Sequence, residues 1–468
     1  MRWLYPFALA LTLAACGGGG ADIVAVPEPT PIPAPPPQTP PPQTPPPQTP
    51  PPEADACAPA SQQQTVSGYM GQHYFWYDQL ASADTSAPTI AAYFNSLLYK
   101  PTDRYSFTES TAAYEQRVNI GVRTGYGYSL VWQDSQQTQL RVRFVEPKGP
   151  AGLAGLKRGD TILSMDGFTP QQVAAGQPPA VSTAGVARRV VLRDTQGIER
   201  TIDMVSAEFP ITVVPATAVL EVTREGGATA KVGYIQYQTF AAYGDEAVGA
   251  AMQSFADAGV EELVLDMRYN GGGSVAVARD LASMIGGAKT KDKLFAYLRY
   301  NPKQVVKNQS IVFLGAGAAG LPGPTVETLQ RLVVIASPST ASASELVVNA
   351  LKPFMPVKLV GGTTYGKPFG SLVRHNCGTT FHAIHFTTLN ALGEANYASG
   401  FAPDCEVPDD LEHALGDPAE RRLAAALHVV KTGQCPVLAP MMRQRARSEP
   451  RGQDGVIGDV DPPVMFVD

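Results

Sequence analysis

Beyond Phe209 the chain alternates apolar, β-rich runs with stretches of helical length, and this alternation limits the fold more than any other feature of the sequence. The runs are VGYIQY, ELVLDM, RLVVIA and VKLVGG. Helices are expected from about Glu246 to Ala258, from Val275 onward, and from about Ala343 to Leu351. Strands that alternate with helices build a largely parallel sheet covered on both faces. In such sheets the loops at the carboxyl ends of the strands form the site. Three loops should therefore meet at one edge: RYNGGG, SPSTASASE and GGTTYGKPFG.

The segments before this region differ in kind. Residues 118–206 are β-rich, with the runs QLRVRFV, RRVVLRD and ERTIDMV around KGPAGLAGLKRGDTILSMDG. From Gln62 to about Leu98, Tyr69, His73, Trp76, Tyr77 and Leu80 recur at helical spacing, which predicts a small helical unit packed on something else. Sixteen of the 42 prolines fall between Pro27 and Pro52 in a PPPQT repeat. Such a stretch buries no core and favours polyproline II, with a reach on the order of 75 Å. A length of 468 residues leaves room for two or three packed units. The net charge of −6 and the lack of a long basic run argue against a nucleic-acid partner.

The first sixteen residues, MRWLYPFALALTLAAC, read as an export signal too short to span a bilayer. Leu13-Ala14-Ala15-Cys16 resembles the lipobox of bacterial lipoproteins. That resemblance implies a lipid-modified Cys16, membrane attachment through it, and work in the cell envelope. Gly17 after the cysteine is similar to lipoproteins sent on to the outer membrane, facing the periplasm or the cell surface. The remaining cysteines, Cys57, Cys377, Cys405 and Cys435, are even in number, as expected for disulfides in an oxidising compartment. Three pairings are open; the favoured one joins Cys377 to Cys405 and Cys57 to Cys435. A zinc site has no short C-x-x-C spacing to rest on.

The loop SPSTASASE carries five hydroxyls, on Ser337, Ser339, Thr340, Ser342 and Ser344. Ser342-x-x-Glu345 is a capping-box signature, so Ser342 can serve simply as a helix cap. A serine at a helix start is also well placed for attack, because free amides and the helix dipole favour a developing oxyanion. The attack needs a base. His382 and His385, three apart in the apparent strand TTFHAIHFTTL, point to opposite faces, and His375 has no evident partner. A lysine serves if burial lowers its pKa by about three units. Lys352 and Lys358 lie away from the loop edge, whereas Lys367 lies on it.

TASASELVVNALKPF followed by VGGTTYGKPFG resembles the nucleophile and lysine segments of the C-terminal processing, or tail-specific, Ser/Lys peptidases. LDMRYNGGG is similar to that family's D-L-R-N-N-P-G-G, and GFAPD at 400–404 to its G-I-x-P-D. In the family the lysine follows the serine by 25 residues, and here Lys367 stands 25 residues after Ser342. The resemblance spans roughly residues 115–410. It implies Ser342 as nucleophile, Lys367 as base, and an oxyanion hole from the amides of Ala343 and of Gly272 or Gly273. No metal or organic cofactor is implied. The family often places a glutamine four residues past the lysine; here Ser371 stands there and is the candidate to orient Lys367.

KGPAGLAGLKRGDTILSMDG resembles a PDZ domain of the bacterial protease type. Its carboxylate-binding loop would be Gly125-Tyr126-Gly127-Tyr128. The expected architecture is an α/β protease core with a mixed, largely parallel sheet, a PDZ-like β-rich domain and an N-terminal helical unit. The expected boundaries are a signal at 1–16, a proline-rich linker at 17–56, the helical region at 57–112, the PDZ-like domain at 113–208, the protease domain at 209–437 and a disordered tail at 438–468. The expected function is a serine endopeptidase acting on exported proteins or peptides with apolar carboxyl termini. The rival is a protease-like body that binds peptides or hydrophobic ligands without turnover. Gly315-x-Gly317-x-x-Gly320 imitates a dinucleotide fingerprint, but LPGPT follows where a helix should begin. An acyl-transfer enzyme of the S-x-x-K type is excluded, since position 345 is Glu.

Overall fold

The structure, a computed structural model, describes residues 56–134, 136–447, 449, 456–459 and 462–467. Cys16 and the proline-rich linker lie outside the described residues.

A six-stranded sheet forms the centre, in the order Cys405–Glu406, Val357–Gly361, Arg331–Ala336, Glu262–Asp266, Thr229–Gln236 and Ala216–Thr223. The first five are parallel, and Ala216–Thr223 runs antiparallel on the edge. Both faces are covered, which is why the runs are continuously apolar. Leu263, Leu265, Leu332 and Val334 face the helices Asp245–Ala258, Val275–Gly286 and Ala343–Leu351. Val264, Val333 and Ile335 face the helix Arg421–Thr432 on the other side. The period-two alternation along each strand thus feeds two separate cores.

Glu262–Asp266 and Arg331–Ala336 stand in register, Asp266 opposite Ile335, and Ala336 stands opposite Gly361. The three expected loops therefore leave the sheet at the same edge. A second sheet, Gln309–Val312, Leu294–Tyr300, Phe386–Leu389 and Phe369–Gly370, follows. TTFHAIHFTTL is not one strand: it breaks between His382 and Phe386, and its halves join different sheets.

The β-rich region folds as an antiparallel sheet of Tyr128–Trp132, Leu140–Val145, Thr161–Met165, Ala187–Arg193 and Glu199–Val205. It encloses its own apolar core, with Leu130, Leu140, Val142 and Leu192 fully buried. The helical region, with helices Pro59–His73 and Ile90–Leu97, packs Tyr74, Phe94 and Leu98 against Phe381 and Ala383.

Two expectations are corrected. The disulfides join Cys57 to Cys377 and Cys405 to Cys435, because each pair is brought to a Cα separation of 5.7 Å and 5.4 Å respectively. The segment from 438 onward is not wholly disordered: it contains a helix, Pro440–Arg447, and strands Val456–Gly458 and Val464–Phe466. The polar composition before Gly455 hid two short apolar runs that find open strand edges.

Phe255 is 1% exposed in the main core, and a Cβ added at Gly233 would stand 3.1 Å from its ring. Phe255→Ala should cost about 3–5 kcal/mol, read as a lower urea midpoint at unchanged slope.

Candidate active site

Four of the five hydroxyls in SPSTASASE are spent on local structure. Ser337 donates to the Arg268 carbonyl, Thr340 to the Met267 carbonyl at 2.8 Å, and Ser344 to the Asn270 carbonyl at 3.0 Å. Ser339 Oγ accepts from Arg143 at 3.1 Å. Ser342 Oγ, fully buried, has no hydrogen-bond partner among the described residues. Its backbone is also unusual for a residue with a side chain, at φ 63° and ψ −112°. Strained backbone of this kind persists where the surroundings enforce it, and it clusters at working sites.

Glu345 supplies the enforcement. It is fully buried on the first turn of the helix Ala343–Leu351. Its Oε2 accepts the Ser342 N–H at 2.9 Å and the Lys367 N–H at 2.8 Å. Its Oε1 accepts the Gly366 N–H at 2.7 Å and the Thr364 hydroxyl. One carboxylate thus ties the serine loop to the lysine loop. Burial pushes its pKa up, and the bonds from Thr364, Lys367, Ser342 and Gly366 pull against that rise.

Lys367 is 1% exposed, and burial pushes its pKa down to about 7, against the upward pull of Asp103 and Glu345. Its Nζ donates to the Pro463 carbonyl at 2.6 Å. The helical region braces its loop: Arg104 donates to the carbonyls of Tyr365 and Gly366 at 2.9 and 3.2 Å, and the Tyr105 hydroxyl to Gly366 at 2.9 Å. The other candidate bases are engaged elsewhere. Lys358 pairs with Asp404 at 3.0 Å, His382 with Glu109 at 2.7 Å, His385 with Tyr69 at 2.6 Å, and His375 with Thr380 at 2.8 Å.

The glycine loop begins at Arg268, a buried guanidinium held by Asp266 and Glu420, each at 2.8 Å. Asn270 then joins it to the serine loop, accepting the Gly272 N–H at 2.8 Å on its side chain and the Ala341 N–H at 3.0 Å on its carbonyl. The Gly272 amide is therefore held by Asn270, Gly273 lies in the ladder with Val464–Phe466, and Ala343 opens the helix. Gly272 has to be glycine: its φ is 112°, and a Cβ there would meet Val464 O at 2.1 Å, Ser342 Cβ at 2.9 Å and the Ala343 nitrogen at 3.0 Å. Ser371 has a different partner from the one expected. Its N–H and hydroxyl both go to the Met465 carbonyl, at 2.8 and 3.4 Å, because that strand lies beside it.

At the β-rich sheet, the amides of Gly127 and Tyr126 donate to Asp459 Oδ2 at 2.6 and 3.2 Å. The Tyr128 carbonyl accepts the Asp459 N–H at 2.8 Å, and Gly125 lies against the same carboxylate. The sequence alone did not reveal Glu345 as a tie, the Arg104 and Tyr105 brace, or Asn270. The Ser342-x-x-Glu345 spacing was the available signal for the first.

An α/β core of this kind brings together an unpaired serine at a helix start and a buried lysine whose pKa is pushed down, which are parts that acyl transfer can use. Residues 231–407 match Peptidase family S41, and residues 61–107 match the Peptidase S41 N-terminal domain. The chain is 28% identical over 233 residues to the carboxyl-terminal-processing protease of Synechocystis sp., covering 50% of each chain. It is 23% identical over 314 residues to the carboxy-terminal processing protease CtpA of Bacillus subtilis, covering 66% of this chain and 61% of that one. The chain thus spans about half to three fifths of the length of these relatives. A solved structure of a candidate S41 protease from Bacteroides fragilis matches 78% of this chain and 96% of its own, with a TM-score of 0.62 and 25% identity. What these likenesses show is similarity to S41 peptidases, over residues 61–107 and 231–407 for the family models.

Removing Glu345 would strand three amides and a hydroxyl in a dry interior. Glu345→Ala should cost about 3–5 kcal/mol in chemical denaturation, and Glu345→Gln, which retains one acceptor oxygen, should cost less.

Proposed function

We propose that this protein is an endopeptidase of the carboxyl-terminal processing kind, with Ser342 as nucleophile and Lys367 as general base. The observation that carries the reading is that Glu345, by accepting the backbone N–H groups of both residues, ties the loop of a serine with an unpaired, buried hydroxyl to the loop of a lysine whose burial brings it to about 7. A lysine amine is a base only when neutral, and at an ordinary pKa of about 10.4 it would be protonated almost always near pH 7. Dehydration by the surrounding core removes that obstacle.

In the proposed reaction Ser342 Oγ attacks the carbonyl carbon of a peptide bond while neutral Lys367 takes its proton. The amides of Ala343 and Gly273 receive the charge that develops on the carbonyl oxygen. The lysine ammonium returns the proton to the leaving amine, and water then releases the acyl group by the same steps. Ser371 has no part in orienting the lysine in this reading. Glu345 and the Arg104 and Tyr105 brace hold the loop instead.

The β-rich sheet is proposed as a PDZ-like unit that receives an apolar carboxyl-terminal segment as an added strand, with the amides around Tyr126 and Gly127 for its carboxylate. Donation by these amides to the Asp459 carboxylate supports this assignment. The substrates are proposed to be exported proteins or peptides. Attachment through a lipidated Cys16, with the proline-rich stretch as a spacer, is the accompanying proposal for location.

Cleavage of an unfolded protein with an apolar carboxyl terminus tests the reading. Ser342→Ala and Lys367→Ala should each lower kcat by about 10³-fold or more. In the intact protein kcat/KM should rise with pH through about 7, since the neutral amine is the active form. Cleavage that survives both substitutions would remove the pair from the mechanism.

A further inference from the structure

We propose that residues 456–459 and 462–467 are a built-in ligand of the chain's own peptide channel, lying across both the carboxylate loop and the catalytic pair. The inference rests on the peptidase reading for its consequence, but its geometry is independent of it.

At the first contact, Val456–Gly458 adds antiparallel to the edge strand Tyr128–Trp132, with Val456 opposite Val131 and Gly458 opposite Ser129. Asp459 then places its carboxylate on the Gly127 and Tyr126 amides. Burial pushes the pKa of that carboxylate up, against the pull of Arg123 and of the amides of Gly127, Tyr126 and Tyr128. An internal side chain thus fills the place that a chain-terminal carboxylate would take in strand addition.

At the second contact, Val464–Phe466 runs parallel to Gly272–Ser274 and is the other strand of that two-stranded sheet. Val464 N–H donates to Gly271 O at 2.9 Å, and Ser371 N–H to Met465 O at 2.8 Å, so the segment is held from both sides. Val464, Met465 and Phe466 are 3%, 0% and 4% exposed, and Met465 enters the main core. The Pro463-Val464 pair meets the two loops at separate atoms. The Pro463 carbonyl takes the lysine Nζ at 2.6 Å, and the Val464 oxygen occupies the space beside Gly272 that also borders Ser342 and Ala343.

The consequence follows from hydrogen-bond bookkeeping. Lys367 spends its contact on Pro463, and Ser342 Oγ is left without a partner. A substrate strand has to displace the segment before it can add to Gly272–Ser274, because one strand edge accepts one partner. Apolar residues at the displaced positions set the preference: incoming chains should match Val-Met-Phe in character.

The test compares cleavage of an unfolded reporter protein by the full chain, by Met465→Asp, and by a chain stopped after Gly455. Both altered chains should cleave at least about tenfold faster, and a synthetic peptide of residues 456–468 added in trans should slow the shortened chain again. In parallel, the same peptide carrying a fluorophore should bind the shortened chain with Ser342→Ala and be displaced by peptides with apolar ends. That binding, if seen with no cleavage by any chain, would support the built-in ligand while the peptidase reading fails. Equal cleavage by all three chains, or a labelled peptide that does not bind, would overturn the proposal. Loss of the cooperative thermal transition in both altered chains would make the segment an ordinary structural strand and overturn it too.

Discussion

The site depends on one buried carboxylate. Glu345 is fully buried, which pushes its pKa up, and the four donors that converge on it pull the other way. Three of these are backbone amides, so the interaction fixes main chain as well as side chains. With Ser342 and Lys367 on the same oxygen, the two loops have one relative position. The positive φ of Ser342 is the local cost of that arrangement, and the packed helix behind it, with Leu346, Val347 and Val348 fully buried, absorbs it.

Other parts of the chain serve that junction from a distance. The parallel sheet brings the three loops to one edge by register alone. The helical region supplies Arg104 and Tyr105 to the lysine loop, and the Cys57–Cys377 bridge ties that region to the strand hairpin beyond it. Asp103, fully engaged with Tyr74, Tyr105 and Ser106, adds the negative charge that keeps the lysine from falling further. The same dry surroundings that lower the lysine therefore contain two counter-charges that limit the effect, which keeps the group near neutrality rather than permanently neutral.

Much of the core was legible because its strands are buried on both faces and its helices end in clear signals. The helix expected at Ala343–Leu351 has those limits, and the loops follow from strand order. Ser342 and Lys367 were singled out only by their spacing and by resemblance; hydroxyl content alone left five candidates. What escaped notice depends on long-range contacts. Cys57 and Cys377 are 320 positions apart, and nothing local distinguishes their pairing from the alternatives. Ser371 was matched to Lys367 because it stands where the resembling family often has a glutamine, whereas a strand from the far end of the chain lies beside it and takes its bonds. Val464-Met465-Phe466 is too short to read as a strand by periodicity and is ordered by the edge it meets.

The central claim is that burial, held in place by the Glu345 tie, brings Lys367 to near-neutral pKa. Nitrogen-15 NMR of lysine side chains through a pH titration, with Lys367→Met to assign the resonance, reads this directly. The account predicts one lysine Nζ that titrates at about 7 and disappears in the variant. A spectrum in which every lysine titrates near the ordinary value of about 10.4 would contradict it.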